Sequence, residues 1–522
     1  MAIVAGVDFG TLSVRVSIVD TSNGVIGTCS AGYPVYKDPA KPSLATQKHS
    51  DHMQALAAAM AGATSNAKIS GKSVAALAVA TTGSSVLPVD AQLKPLGDYY
   101  LWCDHRAQSE AQEITQKARE RNLEALRWCG GTYSPEWGFA KLLHWLRTNP
   151  GSRAKFATAL EHGDMAVATL CGRVDPEGIP RGICAMGHKW MWNEALGGLP
   201  QQEFLTAVDP LFSHIRATLN GTYGAANRIA GHLSAEWARK LGLRPGLPIP
   251  FPELDAHSDA VGAGVRLGDI VNVLGTSTCI MALSEHAIPI PGVSGVVNRS
   301  IHPDLVGIEA GLSACGAVFD AIALRCGRSL ASLVDEITHY RPGQTGLMRV
   351  PWDNGDRTIL GNPDLRGLTL GWNLAHTAAD ELFAAIEGTA FQTKIIIDHL
   401  AAFKVPATRV INTSGLAQHM PSINQLYADV LNRTVLVPDR PSVGLGSAIF
   451  ASIAAGAFPT IEDAQNAMCP GYREYPPELE AASTYRPLFD AFRDIYFLFG
   501  DASPVAQSIA GVLRTLRSQA QH

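Results

Sequence analysis

Ile3-Val4-Ala5-Gly6-Val7-Asp8-Phe9-Gly10-Thr11-Leu12-Ser13-Val14-Arg15-Val16-Ser17-Ile18-Val19-Asp20 is the stretch that decides the architecture. Two apolar runs flank a short Gly- and Thr-containing turn, the pattern of a β-hairpin. Ile270-Val271-Asn272-Val273-Leu274-Gly275-Thr276-Ser277-Thr278-Cys279-Ile280-Met281-Ala282-Leu283 repeats the pattern in the other half of the chain. A turn of Gly, Ser and Thr leaves backbone N–H groups and hydroxyls with little steric cover, which suits a phosphate. Two such turns facing across a cleft could hold different phosphates of one nucleotide, an arrangement that points to phosphoryl transfer.

The 522 residues exceed what one core normally supports, so at least two domains are expected. With 46% hydrophobic and 17% charged residues, the composition is that of a soluble globular protein. The net charge of -5 gives no electrostatic footprint for nucleic acid. No signal peptide is expected, because Asp8 interrupts the apolar N-terminus early. No run of about 18 apolar residues predicts a membrane span. Nine dispersed cysteines without a Cys-x-x-Cys pair favour buried thiols in a reducing, cytoplasmic setting over disulfides or structural zinc.

Along the chain, apolar runs at 74–80 and 86–90 bracket Thr81-Thr82-Gly83-Ser84-Ser85. Helical spacing predicts helices over 107–122 and 134–148. The Pro-rich stretch 247–252 approaches a domain boundary. Beyond the second hairpin a strand near 305–308, a helix over about 313–325 and a long helix over 376–402 are expected. A short strand at 410–412 then leads into Thr413-Ser414-Gly415. Pro421-Ser422 opens a helix carrying Ile423, Leu426, Tyr427, Val430 and Leu431 on one face. A strand at 434–438 precedes Gly444-Leu445-Gly446 and an Ala-rich helix, and the tail carries amphipathic segments at 488–499 and 505–517. Strand–turn–helix alternation marks an α/β fold, and the repeated hairpin argues for two related domains around a cleft.

Two acids stand out. Asp255 lies in Glu253-Leu254-Asp255-Ala256-His257-Ser258-Asp259, just before the second hairpin, where a carboxylate could take the proton of an attacking hydroxyl. The competing reading makes Asp255 or Asp259 the N-cap of a helix over 258–265. Asp8 lies inside an apolar strand, where an unpaired carboxylate is costly. A bound Mg²⁺ would satisfy it, and so would hydrogen bonds within the turn. His257 reads as a local hydrogen-bonding residue, since no second His or Cys lies at ligand spacing.

With these residues in view, the chain resembles the FGGY carbohydrate kinases from Gly6 to about Gly456, most closely their L-ribulokinase branch. The segment Val7–Arg15 is similar to that family's first phosphate motif, and Gly275–Cys279 to its second. Asp255-Ala256-His257 matches the motif of the catalytic base. Gly415-Leu416-Ala417 with Asn424–Arg433 resembles the adenosine motif, except that Ser414 stands where paired glycines are usual. Gly130–Trp137, Gly187–Trp192 and Gly307–Ala314 resemble ribulokinase segments, although 340–370 is shorter.

The resemblance implies two actin-like (ribonuclease H-like) α/β domains around a central catalytic cleft, spanning 1–264 and 265–475, with a helical tail at 476–522. It also implies phosphorylation of a ketopentose by ATP and Mg²⁺, with L-ribulose to L-ribulose 5-phosphate in L-arabinose breakdown as the nearest reaction. Asp255 becomes the base. Trp102, Lys189, Glu309, Thr82 and Gly83, with Asp255, become the sugar site. Gly10, Thr11, Ser13, Arg15, Gly275, Thr276, Ser277, Gly415, Leu416, Ala417 and Asn424 become the nucleotide site, and Asp8 the metal ligand.

Chemistry is consistent with this: Lys189 can donate to sugar hydroxyls, Glu309 can accept from them, and Trp102 offers a surface for C–H groups. Lys189 and Glu309 could instead form a structural ion pair, and Trp102 an ordinary core aromatic. D-ribulose, xylulose or another polyol is the rival substrate, and a non-enzymatic actin-like nucleotide-binding protein the rival class. Partners are then sugar and ATP, without nucleic acid or membrane, and a homodimer is compatible.

Overall fold

A computed structural model describes residues 2–440, 442 and 444–500. The first hairpin is β1 (Ile3–Phe9) and β2 (Ser13–Asp20), continued by β3 (Gly24–Gly32). Helix α1 (His49–Asn66) covers β2 and β3 before β4 (Val74–Thr81) returns beside β1. The two-residue β5 (Glu253–Leu254) closes the sheet after a long insertion. Spatial order is β5-β4-β1-β2-β3, with β1, β4 and β5 parallel and the hairpin strands antiparallel.

The second half repeats this plan. β6 (Asp269–Leu274) and β7 (Thr278–Ser284) form the second hairpin, with β8 (Gly295–Asn298) and β9 (Val306–Leu312) extending it on one side. β10 (Arg409–Thr413) and β11 (Val435–Pro438) lie parallel to β6 on the other, and β12 (Tyr472–Tyr475) edges the sheet. The order is β8-β9-β7-β6-β10-β11-β12. Both sheets therefore combine an antiparallel meander with two strands parallel to its first member, the topology expected of paired ribonuclease H-like domains.

Helices α2 (Ile183–Trp190) and α3 (Asp255–Gly262) belong to the first half. The second holds α4 (Gly316–Arg325), α5 (Ala378–Ala402), α6 (Ser414–His419), α7 (Pro421–Leu431) and α8 (Leu445–Ala454). A Thr377–Asp380 capping box starts α5, while Pro421 starts α7 and Asn432, with φ of 49°, ends it. Helices α3 and α8 follow equivalent strands and pack on each other between the sheets, sharing one core with Val4, Ala78, Val271 and Ile411. Their contact is backbone-close. A Cβ on Gly446 would stand 1.7 Å from Ser258 O, and one on Gly6 would stand 2.1 Å from Gly444 O, so neither position admits a side chain.

The insertion between β4 and β5 supplies Val86–Val89, Tyr99–Tyr100 and Thr158–Glu161 to a small five-stranded sheet, which Tyr36–Asp38 and Lys41–Gln47, from the link between β3 and α1, complete.

Two boundaries differ from the sequence reading. The helix expected over 258–265 begins at Asp255 instead, with Leu254 as its N-cap and no side-chain cap, so neither Asp255 nor Asp259 caps it. The tail helix spans Leu479–Gly500 and passes through Pro487; Tyr485, Phe489, Phe492 and Tyr496 bury one face and override the proline. The segment expected at 505–517 lies outside the described residues. All nine cysteines are free thiols, but only Cys129, Cys184 and Cys315 are buried, so the expectation of buried thiols holds for a minority.

Candidate active site

In-register parallel strands end together, and this assembles the site. Phe9 pairs with Thr81, and Thr81 with Leu254, so Gly10-Thr11, Thr82-Gly83 and Asp255 emerge side by side from β1, β4 and β5. In the second sheet Val273 pairs with Thr413, placing Gly275–Ser277 beside Ser414-Gly415. These two edges face each other across a cavity of about 350 Å³. Asp8, Thr11, Thr82, Gly83, Trp102, Lys189, Asp255, Gly275, Thr276, Ser277 and Glu309 all line it.

A second cavity of about 500 Å³ runs between β6, α4, α6 and the helix Leu330–Ile337. Gly415 and Leu416 line it together with Ala331, Val334 and Met420, and it shares Gly275, Thr276 and Ser414 with the first. A nucleoside-sized apolar slot thus adjoins a polar chamber through one glycine turn. A wider vestibule of about 1460 Å³ meets the first chamber at Glu136, Lys189, Glu309 and Arg357.

Several expected contacts lie outside these walls. Gly10 N–H donates to Ser13 O (3.0 Å), closing the turn, and Arg15 stands opposite Asp8 on β2. Gly10, Ser13 and Arg15 line neither the chamber nor the apolar slot. Ala417 and Asn424 are buried beneath the slot, where Asn424 Nδ2 donates to Ala417 O (2.8 Å) and Asn424 Oδ1 accepts from Asn412 (3.1 Å). Asn424 therefore braces the turn from behind.

Ser414 has φ of 75°, the left-handed backbone that glycine adopts freely. Its side chain carries a strain that the usual glycine avoids, about 1–2 kcal/mol. Ser414→Gly is expected to raise unfolding stability by about 1 kcal/mol, read by denaturant melts, with nucleotide affinity retained.

The electrostatics separate the acids. Burial pushes the Asp255 carboxyl up to about 7; Asp259 and Glu309 add to this, while the Ala256 N–H and Lys189 oppose it. Among the described residues its one hydrogen bond comes from Ala256 N–H (2.8 Å), and part of its surface stays open to the cavity. Asp259 instead accepts from the hydroxyls of Thr413 (2.8 Å) and Ser442, tying α3 to the second half. Asp8 accepts no hydrogen bond from a described residue, which leaves the turn without the bonds that would have satisfied it. Burial, then Asp255 and Asp259, push its carboxyl up to about 8, with Arg15 as the partial offset. An acidic set short of positive charge fits a divalent cation held by one or two carboxylates and by phosphates.

Lys189, on α2, donates to both oxygens of Glu309, on β9, at 2.6 and 2.9 Å. Burial alone would raise the Glu309 carboxyl, but Lys189, His188 and His257 outweigh it and hold the group well below the usual carboxylate range. Both members of the pair line the cavity, so this ion pair forms part of its wall. Trp102 Nε1 donates to Thr11 Oγ1 (3.0 Å), joining the indole to the first turn.

Sequence reasoning missed Glu136 and Arg357, 3.8 Å apart in the wall, and Ser84, whose buried hydroxyl lacks a partner among the described residues. Glu136 lay within the Gly130–Trp137 segment, and that placement was the available signal. Arg357 lay in the shortened stretch, without one. His257, read as locally hydrogen-bonded, has no hydrogen bond at either ring nitrogen among the described residues.

Comparison with known proteins identifies the family. Residues 3–174 match the FGGY family of carbohydrate kinases, N-terminal domain, and residues 270–455 its C-terminal domain. A ribulokinase of Shouchella clausii is 33% identical over 99% of this chain and 98% of its own. One from Vibrio parahaemolyticus is 32% identical over 94% and 95%. Among solved structures, a ligand-bound xylulose kinase from Lactobacillus acidophilus superposes with a TM-score of 0.81 at 18% identity, covering 96% of this chain and 99% of that one. Plasmodium falciparum glycerol kinase with ADP gives 0.79 at 14%, covering 95% and 98%. At these identities the structural likeness speaks for the fold. The chain belongs to the FGGY family of carbohydrate kinases and is an enzyme of the ribulokinase-like kind.

Proposed function

We propose that the enzyme transfers the γ-phosphoryl group of ATP to the terminal hydroxyl of a ketopentose, with L-ribulose the preferred acceptor and L-ribulose 5-phosphate the product. The observation that carries this is Asp255, a carboxylate poised near neutral pH where the two glycine turns and the Lys189–Glu309 wall meet. Asp255 takes the hydroxyl proton as the oxygen attacks in line. Thr11 and the Gly275–Ser277 turn face the transferring phosphates, and the slot beside Gly415-Leu416 receives adenosine. Mg²⁺, held from Asp8, would supply neutralisation of phosphate charge. Lys189, Glu309, Trp102 and Thr82-Gly83 orient the sugar.

The domains are proposed to divide near 264, with α3 and α8 as the packed pair between them. We place the enzyme in the cytoplasm, a reading supported by its free thiols; no described helix is long and apolar enough to cross a membrane. The ribulokinase names of its relatives favour L-ribulose for the site.

Steady-state kinetics on L-ribulose, D-ribulose, D-xylulose and glycerol test the acceptor. L-ribulose should give the highest kcat/KM. A preference of about tenfold or more for xylulose or glycerol, roughly 1.4 kcal/mol of transition-state binding, overturns that assignment.

The pH dependence follows from the base. Asp255 must be ionised to accept a proton, and its folded pKa lies at about 7. The kcat/KM for sugar should therefore be flat above neutrality and fall about tenfold per unit as pH drops below about 7. An acid limb near the ordinary carboxylate value of about 4 would contradict this.

A further inference from the structure

The wall behind the sugar-facing pair contains a cluster that the phosphoryl-transfer reading does not use. Cys184 and His188 stand one helical turn apart on α2, so both face the same way, toward His257 on α3. All three are buried, each 1% exposed, and their sulfur and nitrogen ligand atoms lie within 4.8 Å of one another. His188 Nε2 is engaged by Ser300 Oγ (3.0 Å), which fixes the ring and leaves Nδ1 free. His188 Nδ1 and both nitrogens of His257 have no hydrogen-bond partner among the described residues. Buried ring nitrogens are rarely left unpaired, because each has lost its water.

Nearby distances have a metal-site signature. Glu309 Oε2 lies 3.5 Å from His188 Nδ1 and 3.6 Å from His257 Nε2, too far for good hydrogen bonds. Donors bound tetrahedrally at about 2.0–2.1 Å stand roughly 3.3–3.4 Å from each other, close to those gaps. One thiol and two imidazoles make a borderline-soft set, suited to Zn²⁺ and unsuited to Mg²⁺.

We propose that Cys184, His188 and His257 form a binding site for a zinc-type divalent cation, with Glu309 Oε2 on its open side. Binding would replace the Cys184 S–H bond with a sulfur–metal bond and release the proton, so affinity rises with pH. The bound ion would link the helix that carries Lys189 to the helix that begins with Asp255.

The full-length protein, stripped by chelator and then dialysed against Zn²⁺, should retain one equivalent by elemental analysis. Co²⁺ in its place should give thiolate-to-cobalt charge-transfer absorption in the near ultraviolet, which a carboxylate site around Asp8 cannot produce. Cys184→Ala should abolish that band and weaken Zn²⁺ binding by at least about 100-fold, more than loss of an outer partner costs. Cys129→Ala, a buried thiol elsewhere, should leave both readouts unchanged. Failure of the wild-type protein to hold stoichiometric Zn²⁺, or a cobalt spectrum without a thiolate band, overturns the proposal. These wild-type readouts decide even if Cys184→Ala does not fold, and neither depends on kinase activity.

Discussion

Asp255→Asn is expected to lower sugar phosphorylation by about 100-fold or more, with ATP affinity retained. The amide keeps the size of the side chain and can still accept the Ala256 N–H bond, but it cannot take up the hydroxyl proton. A factor of 100 is about 2.7 kcal/mol of barrier, a reasonable share for one general base when positioning and phosphate neutralisation supply the rest. Single-turnover kinetics with ATP prebound check the result. Near-wild-type turnover would put the base elsewhere. Asp259 would be a poor successor, because Thr413 and Ser442 occupy its carboxylate, and Asp8, which no hydrogen bond occupies, would come first.

The second large effect concerns the Lys189–Glu309 pair. Lys189→Met leaves a buried carboxylate without its lysine partner, and Glu309→Gln leaves a buried ammonium without its counter-charge. Breaking a buried pair from one side costs about 3–5 kcal/mol, so each single variant should be clearly destabilised in denaturant melts. Lys189→Met combined with Glu309→Gln should regain most of that loss. The sugar should not recover in parallel: its KM should stay about ten- to hundredfold raised in all three variants, because charged hydrogen bonds to hydroxyls are missing. The KM for ATP should move little. A double variant with wild-type sugar affinity would make the pair purely structural. Singles with wild-type stability and wild-type sugar KM would contradict both roles.

Local patterns carried much of the fold. The hairpins at 3–20 and 270–283 became β1–β2 and β6–β7, because alternating apolar residues and a glycine turn specify a hairpin without distant help. Helix α7 followed from its spacing and from Pro421. Distance in sequence hid the rest. The Lys189–Glu309 bond joins residues 120 positions apart, and local spacing carries no trace of it. His257 lacked a second ligand within reach in sequence, yet α2 brings it two. The start of α3 at Asp255 escaped notice because Leu254 is a poor cap; strand pairing of β5 with β4 fixes that end instead. Asn424 was assigned to a motif by type, whereas only the fold shows its amide turned inward to Ala417. The tail helix, expected over 488–499, starts earlier at Leu479 and runs through Pro487, because the aromatic face packed below it outweighs the local opposition of proline to helix.

The central claim is sugar-dependent transfer of phosphate from ATP, and ADP release with L-ribulose present and absent tests it most directly, with the product followed by ³¹P NMR. The account predicts slow ADP formation without sugar, a large acceleration with L-ribulose, and a phosphate-monoester resonance appearing mole for mole with ADP. ADP release at the same rate with and without every ketopentose, yielding inorganic phosphate alone, would contradict it.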